Sequence, residues 1–239
     1  AAVVLFYGPM LVCLLLMESD SLMSSREENF KSGRDRPAVI SDYKKSVRYV
    51  RDSRGISAAI LTIAIISTFG FPVVQQIIVF SEEVFEVSPF LFGLLGSAQG
   101  IGAVLAVPLV TGYVSFMKPS VQQTIATVGY GLAVILFAVA PSYAVAFCAL
   151  GILGIMHLTS ASNLNSVVQL QVDEEMRGRV MAIYLVGVLG PAPFAGLAMG
   201  WLVSSFGPRL VVALSGSILA LLAIVLWSRG KFNDLNSTT

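Results

Sequence analysis

Long runs without a charge alternate with short charged islands along the 239 residues of this chain. About 20 consecutive apolar residues cross the hydrocarbon core of a bilayer as a helix, so the gaps between charges place the spans. Residues 1–17 are apolar and end at Glu18. They read as the remaining part of a transmembrane helix, because the positively charged region that opens a signal peptide does not precede them. On that reading the chain is a fragment, or one half, of a longer protein. Polar sequence fills 18–55, and the next spans fall at 56–80, bent at Phe71-Pro72, and at 90–112. Between Lys118 and Asp173 lie 54 residues without a charged side chain, too many for one span and enough for two, with a break at Ala140-Pro141-Ser142-Tyr143. The last two spans are expected at 180–206 and 210–227. The pattern predicts an all-α integral membrane protein: a partial helix at 1–17, a loop at 18–55, a five-helix bundle at 56–228 and a polar tail at 229–239, six spans in all with the partial one.

Two local patterns refine this layout. Tyr43, Val47 and Val50 recur at helical spacing while Lys44, Lys45, Arg48, Arg51 and Arg54 cover the remaining positions, which predicts a basic amphipathic helix on the membrane surface; a solvated linker is the alternative. Glycine and proline crowd Gly187 to Gly200, a composition that a soluble helix would not tolerate, since interior proline costs about 3 kcal/mol. In a membrane, neighbouring helices re-satisfy the freed backbone groups. Gly96 and Gly100 are expected to form a GxxxG packing face.

Charge then orients the spans. With the long loop in the cytoplasm, fourteen of the fifteen Lys and Arg residues fall on that side and only Arg209 outside, as the positive-inside rule requires. The tail is then cytoplasmic and the protein multi-pass in the plasma (inner) membrane. Composition agrees: 56% of residues are hydrophobic and 12% charged, against roughly a quarter charged in soluble domains. A net charge of +1 gives no reason to expect a nucleic-acid partner. Cys13 and Cys148, both in apolar runs, read as small buried side chains, and the sequence suggests neither a metal site nor a nucleotide loop nor any cofactor.

Candidate chemistry is sparse. No Asp, Glu, Lys or Arg lies within an apolar span, although such residues mark ion pathways in transporters. His157, at the middle of its span, either titrates or contacts a substrate, or else it is a neutral imidazole bonded to a neighbouring hydroxyl. Gln99 is the other midplane polar group, while Gln75 and the pair Asn163 and Asn165 lie nearer the membrane boundaries. Gln122 and Gln123, close to an interface, carry no expected role. Arg177 and Arg179 serve either as topology anchors or as gate residues pairing with Asp173, Glu174 or Glu175. A lone histidine without an acid or metal partner makes an enzyme a poor reading.

The runs Tyr43 to Ile56, Gly93 to Ala103 and Gln171 to Tyr184, the last carrying Arg177-Gly178-Arg179-Val180, resemble the major facilitator superfamily, in particular the branch of the enterobactin exporter and the macrolide efflux proteins. The resemblance covers about Lys44 to Arg229. It implies a six-helix bundle that is half of a twelve-helix fold, completed by an N-terminal half, and an exporter of small amphipathic or hydrophobic compounds, such as a drug or siderophore, working by proton antiport. Gly190 and Pro191, in Gly-Pro-Ala-Pro-Phe-Ala-Gly, resemble the antiporters' glycine-proline motif and on that likeness join Arg177 and Arg179 as gating candidates. His157, Gln99, Gln75, Asn163 and Asn165 are the expected substrate contacts. A non-transporting membrane scaffold remains the alternative.

Overall fold

The charge-free runs fold as helices because a helix satisfies every backbone polar group within one segment, which the bilayer interior demands. A computed structural model describes residues 36–112 and 116–236. Contacts divide the chain into residues 1–44 and 45–239. Helix α1 runs Arg36–Asp52, and six further helical segments are long and apolar enough to cross a membrane: α2 (Arg54–Val84), α3 (Pro89–Thr111), α4 (Pro119–Ala138), α5 (Tyr143–Gln171), α6 (Arg177–Phe206) and α7 (Pro208–Ser228).

The second unit is built around α4, which packs along both α5 and α7, while α3 leans on α5 and α2 bridges α5 and α6. Proline starts α3, α4 and α7, where its absent N–H costs nothing. The α3–α5 crossing is backbone against backbone. A Cβ built on Gly154 would lie 2.1 Å from the Gln99 carbonyl oxygen, and one on Gly102 would lie 1.9 Å from that of Gly151. Near the end of α4, the Phe80 and Phe137 rings pack at 4.4 Å, and Arg209 Nη1 donates to the Ala138 and Ala140 carbonyls, placing a cation where a helix C-terminus favours one.

Several expectations change. Residues 56–228 hold six complete spans rather than five, and the 1–17 segment lies outside the described residues. The gaps between charges already mark all six, at 56–80, 90–112, two within 119–172, 180–206 and 210–227, so the expected five is one short of the spans placed. Among the described residues nothing lies within 4 Å of a Cβ built on Gly96 or Gly100; the close crossing uses Gly102, Gly151 and Gly154, which lie on a different face of α3 and on α5. Helix α1 forms, but Ser46 and Val50 are its buried residues while Tyr43 and Val47 are exposed, so its inward stripe is rotated from the apolar triad. Cys148 is free and exposed on α5, where an apolar surround needs no burial within the protein; Cys13 lies outside the described residues. The expected polar tail turns back instead: Phe232 and Leu235 are fully buried, and a short 3-10 turn spans Asn233–Asn236.

Candidate functional site, two broken helices and a polar seam

Helices α2 and α6 both break near their middles. In α2, Pro72 has no N–H to give, and the Val73 N–H bonds to the Gly70 carbonyl at 3.2 Å, so the Phe69 carbonyl loses its helical donor. Ser215 Oγ of α7 donates to that oxygen at 2.6 Å. Beyond the break the chain continues as Phe71–Gln75, Ile77–Val79 and a π-helical turn, Phe80–Val84. In α6, Arg177–Leu189 and Pro191–Phe206 meet at Gly190. A Cβ there would sit 2.5 Å from the Val186 oxygen, so this corner takes glycine.

The two breaks face each other. Ser67 Oγ donates to the Val188 carbonyl at 2.5 Å, and the Gln75 amide oxygen lies 3.0 Å from where a Cβ of Gly196 would stand. Gln75, Gly190 and Pro191 therefore belong to one region. Gln99 and His157 belong to another. Gln99 is half-buried at the α3–α5 crossing, and His157, about one turn beyond Gly154, stacks on Tyr130 of α4 with ring centroids 5.6 Å apart and planes 17° from parallel.

Asn163 and Asn165 part company because 100° per residue separates them by 200° around α5. Asn165 accepts from Gln169 on the exposed side. Asn163 is turned into the α4–α5 seam, where Nδ2 donates to the Pro119 carbonyl at 3.0 Å and to Gln123 Oε1 at 2.9 Å. Gln123 Nε2 in turn donates to Thr127 Oγ1 at 2.9 Å and Ser160 Oγ at 2.6 Å. Gln123 is fully buried, so a residue expected to carry no role organises the most connected side-chain network described. The signal was available: Gln123 and Thr127 share one face of α4, and Ser160 and Asn163 one face of α5.

Arg177 is exposed at the start of α6, and Asp173, one of its expected partners, is engaged elsewhere. The Tyr49 hydroxyl of α1 donates to Asp173 Oδ2 at 2.9 Å and accepts from the Asp173 N–H at 3.1 Å. Burial pushes the Tyr49 hydroxyl above its ordinary value of 10.0, and the neighbouring carboxylate adds to the rise through its side-chain hydrogen bond and its charge. No group of three His, Cys, Asp or Glu able to hold a metal occurs among the described residues.

Six apolar spans, two of them broken and in contact at the breaks, define a multi-pass helical membrane bundle of the transporter class. The chain matches the transmembrane secretion effector family over residues 6–237 and belongs to it, and with it to the major facilitator superfamily. No curated protein sequence matches the chain.

Proposed function

We infer that the chain is the C-terminal half of a secondary active transporter that exports small amphipathic or hydrophobic compounds, a drug or siderophore among them, by proton antiport. The observation that carries the two-half reading is the uneven burial of the spans. Half of the α4 window is buried within the bundle, against 22% for α3 and 17% for α6. On α3 one side carries Gly93, Gly96 and Gly100, each with none of the described residues within 4 Å of an added Cβ, where a lipid-facing helix has no use for small residues and an approaching helix does. A second bundle against α3 and α6 would enclose a cavity between the halves, with His157, Gln99 and Gln75 as its polar contacts. The family's description as secretion effectors supports outward transport. The charge-free spans require the coupling acid to come from the other half, with His157 as the local titrating group. Arg177 and Arg179 would act at the cytoplasmic gate.

The test is uptake into inverted vesicles holding the chain with whatever reading frame is continuous with it, using a panel of amphipathic dyes. Accumulation that disappears when the pH gradient is collapsed is expected. Accumulation indifferent to the gradient refutes antiport, and no accumulation of any dye favours the scaffold reading, to which the structural employment of Asn163 lends some support.

A further inference from the structure

Helices α2, α6 and α7 diverge around a groove of about 460 Å³, within the size range of ligand pockets. Its walls include Phe69 of α2, Met199 and Phe206 of α6, and Leu210, Leu214 and Ile218 of α7. Phe206, Leu210 and Leu214 are more than half exposed, so the groove opens outward from the described bundle between α6 and α7. Phe206 and Leu210 also line a second cavity of about 330 Å³, whose other walls include Glu83 and Arg209. The two cavities thus share Phe206 and Leu210 as walls, one apolar and the other flanked by opposite charges.

The dimensions and charges fit one kind of occupant. From Leu210 to Ile218 the groove runs about 12 Å along α7, at about 1.5 Å per residue. The hydrocarbon depth of one leaflet is about 15 Å. The charged cavity lies at the end where the spans leave the membrane. Arg209 spends Nη1 on the Ala138 and Ala140 carbonyls, leaving its other N–H donors for a phosphate, and the Glu83 carboxylate offers a partner for an ammonium group. We propose that this groove and its charged mouth form a binding site for a zwitterionic phospholipid with an ammonium headgroup, of the phosphatidylethanolamine type, one acyl chain lying between α6 and α7 and the headgroup bridging Arg209 and Glu83. The site shares no lining residue with His157, Gln99 and Gln75, the polar contacts of the cavity between halves.

The test uses the full chain in phosphatidylethanolamine nanodiscs containing a trace of phosphatidylethanolamine with a photoactivatable acyl chain, the adducts being mapped by mass spectrometry. Labelling of the Met199 and Leu214 peptides is compared with that of Leu132, an exposed lipid-facing residue of α4. The expected ratio is about tenfold, the equivalent of 1.4 kcal/mol of preference. Ala198→Trp, which fills the groove, should bring the ratio to about one. Exchanging the probe for phosphatidylglycerol, or making Glu83→Gln, should lower it roughly threefold. A ratio near one in the unmodified protein overturns the proposal, as does a ratio indifferent to both headgroup and Glu83. Glu83 lies at the end of its span and away from the packed core, so its variant carries the test if the tryptophan variant does not fold. No transport enters the readout, so its failure leaves the export reading untouched, and the reverse holds too.

Discussion

At the residue scale, the polar side chains divide into those that the fold has consumed and those that it leaves available. Gln123 is consumed, since both of its amide protons and its oxygen are engaged in a fully buried site. Gln123→Ala should cost about 1–3 kcal/mol, because it strands Asn163 and Ser160, and thermal unfolding in detergent measures the loss. His157 is available: it stacks on Tyr130 while half-buried, so His157→Ala should lower dye export by roughly tenfold without lowering membrane abundance, read by uptake against an immunoblot. Tyr49 yields a pH prediction with a definite sign. Its pKa is raised on folding, first by burial, so the protonated hydroxyl contributes stability throughout the range below the unfolded value of 10.0 and that contribution is lost as pH rises through the higher folded value. The stability difference between the protein and Tyr49→Phe should accordingly be flat at neutral pH and shrink only at strongly alkaline pH. The sequence located these polar residues by depth and no further. Which of two asparagines two positions apart faces the seam depends on the rotation of α5, and the shared face of Ser160 and Asn163 marks that angle only once it is paired with the Gln123–Thr127 face of α4.

At the scale of elements, the helices themselves were legible because the bilayer leaves few alternatives and charges punctuate them; the break at Phe71-Pro72 followed from proline, whereas the crowd of glycines and prolines over 187–200 did not single out Gly190 as the corner. Which glycines make close crossings was not legible. Gly96 and Gly100 have the GxxxG spacing, yet the spacing alone does not say which face meets a neighbour, and the crossing falls on Gly102 and Gly154. Gly154→Leu should destabilise the bundle by about 1–3 kcal/mol, since even a Cβ is too close to the Gln99 oxygen, whereas Gly100→Leu should leave the folding of the described bundle unchanged. Thermal unfolding of the pair separates the two positions. If α3 docks a second bundle, Gly100→Leu should nonetheless impair transport.

At the scale of the whole molecule, six complete spans leave α1 and the C-terminal turn at the same end of the bundle, which agrees with the side that holds most of the positive charge. The turn secures that end. Asn236 accepts from the Ser120 N–H and donates to Ser120 Oγ, Gln171 donates to the Leu235 carbonyl, and Gly55 of α2 packs beneath Asp234. Phe232→Ala should cost about 3–5 kcal/mol as a buried aromatic truncation, measurable as a lower unfolding temperature. The composition of residues 229–239 reads as polar and gave no hint of this, because two apolar side chains in eleven residues look like a solvated tail until the cleft that receives them is known.

The Gln75–Gly196 and Ser67–Val188 contacts, taken with the secured turn, make the bundle mechanically asymmetric. Ser67–Val188 joins the two rods just before their corners and Gln75–Gly196 joins them just beyond, so the joint is held on both sides like a riveted elbow. A sideways push would therefore be spent on bending α2 and α6 together rather than on sliding one past the other, with Ser67 as the pin through the joint.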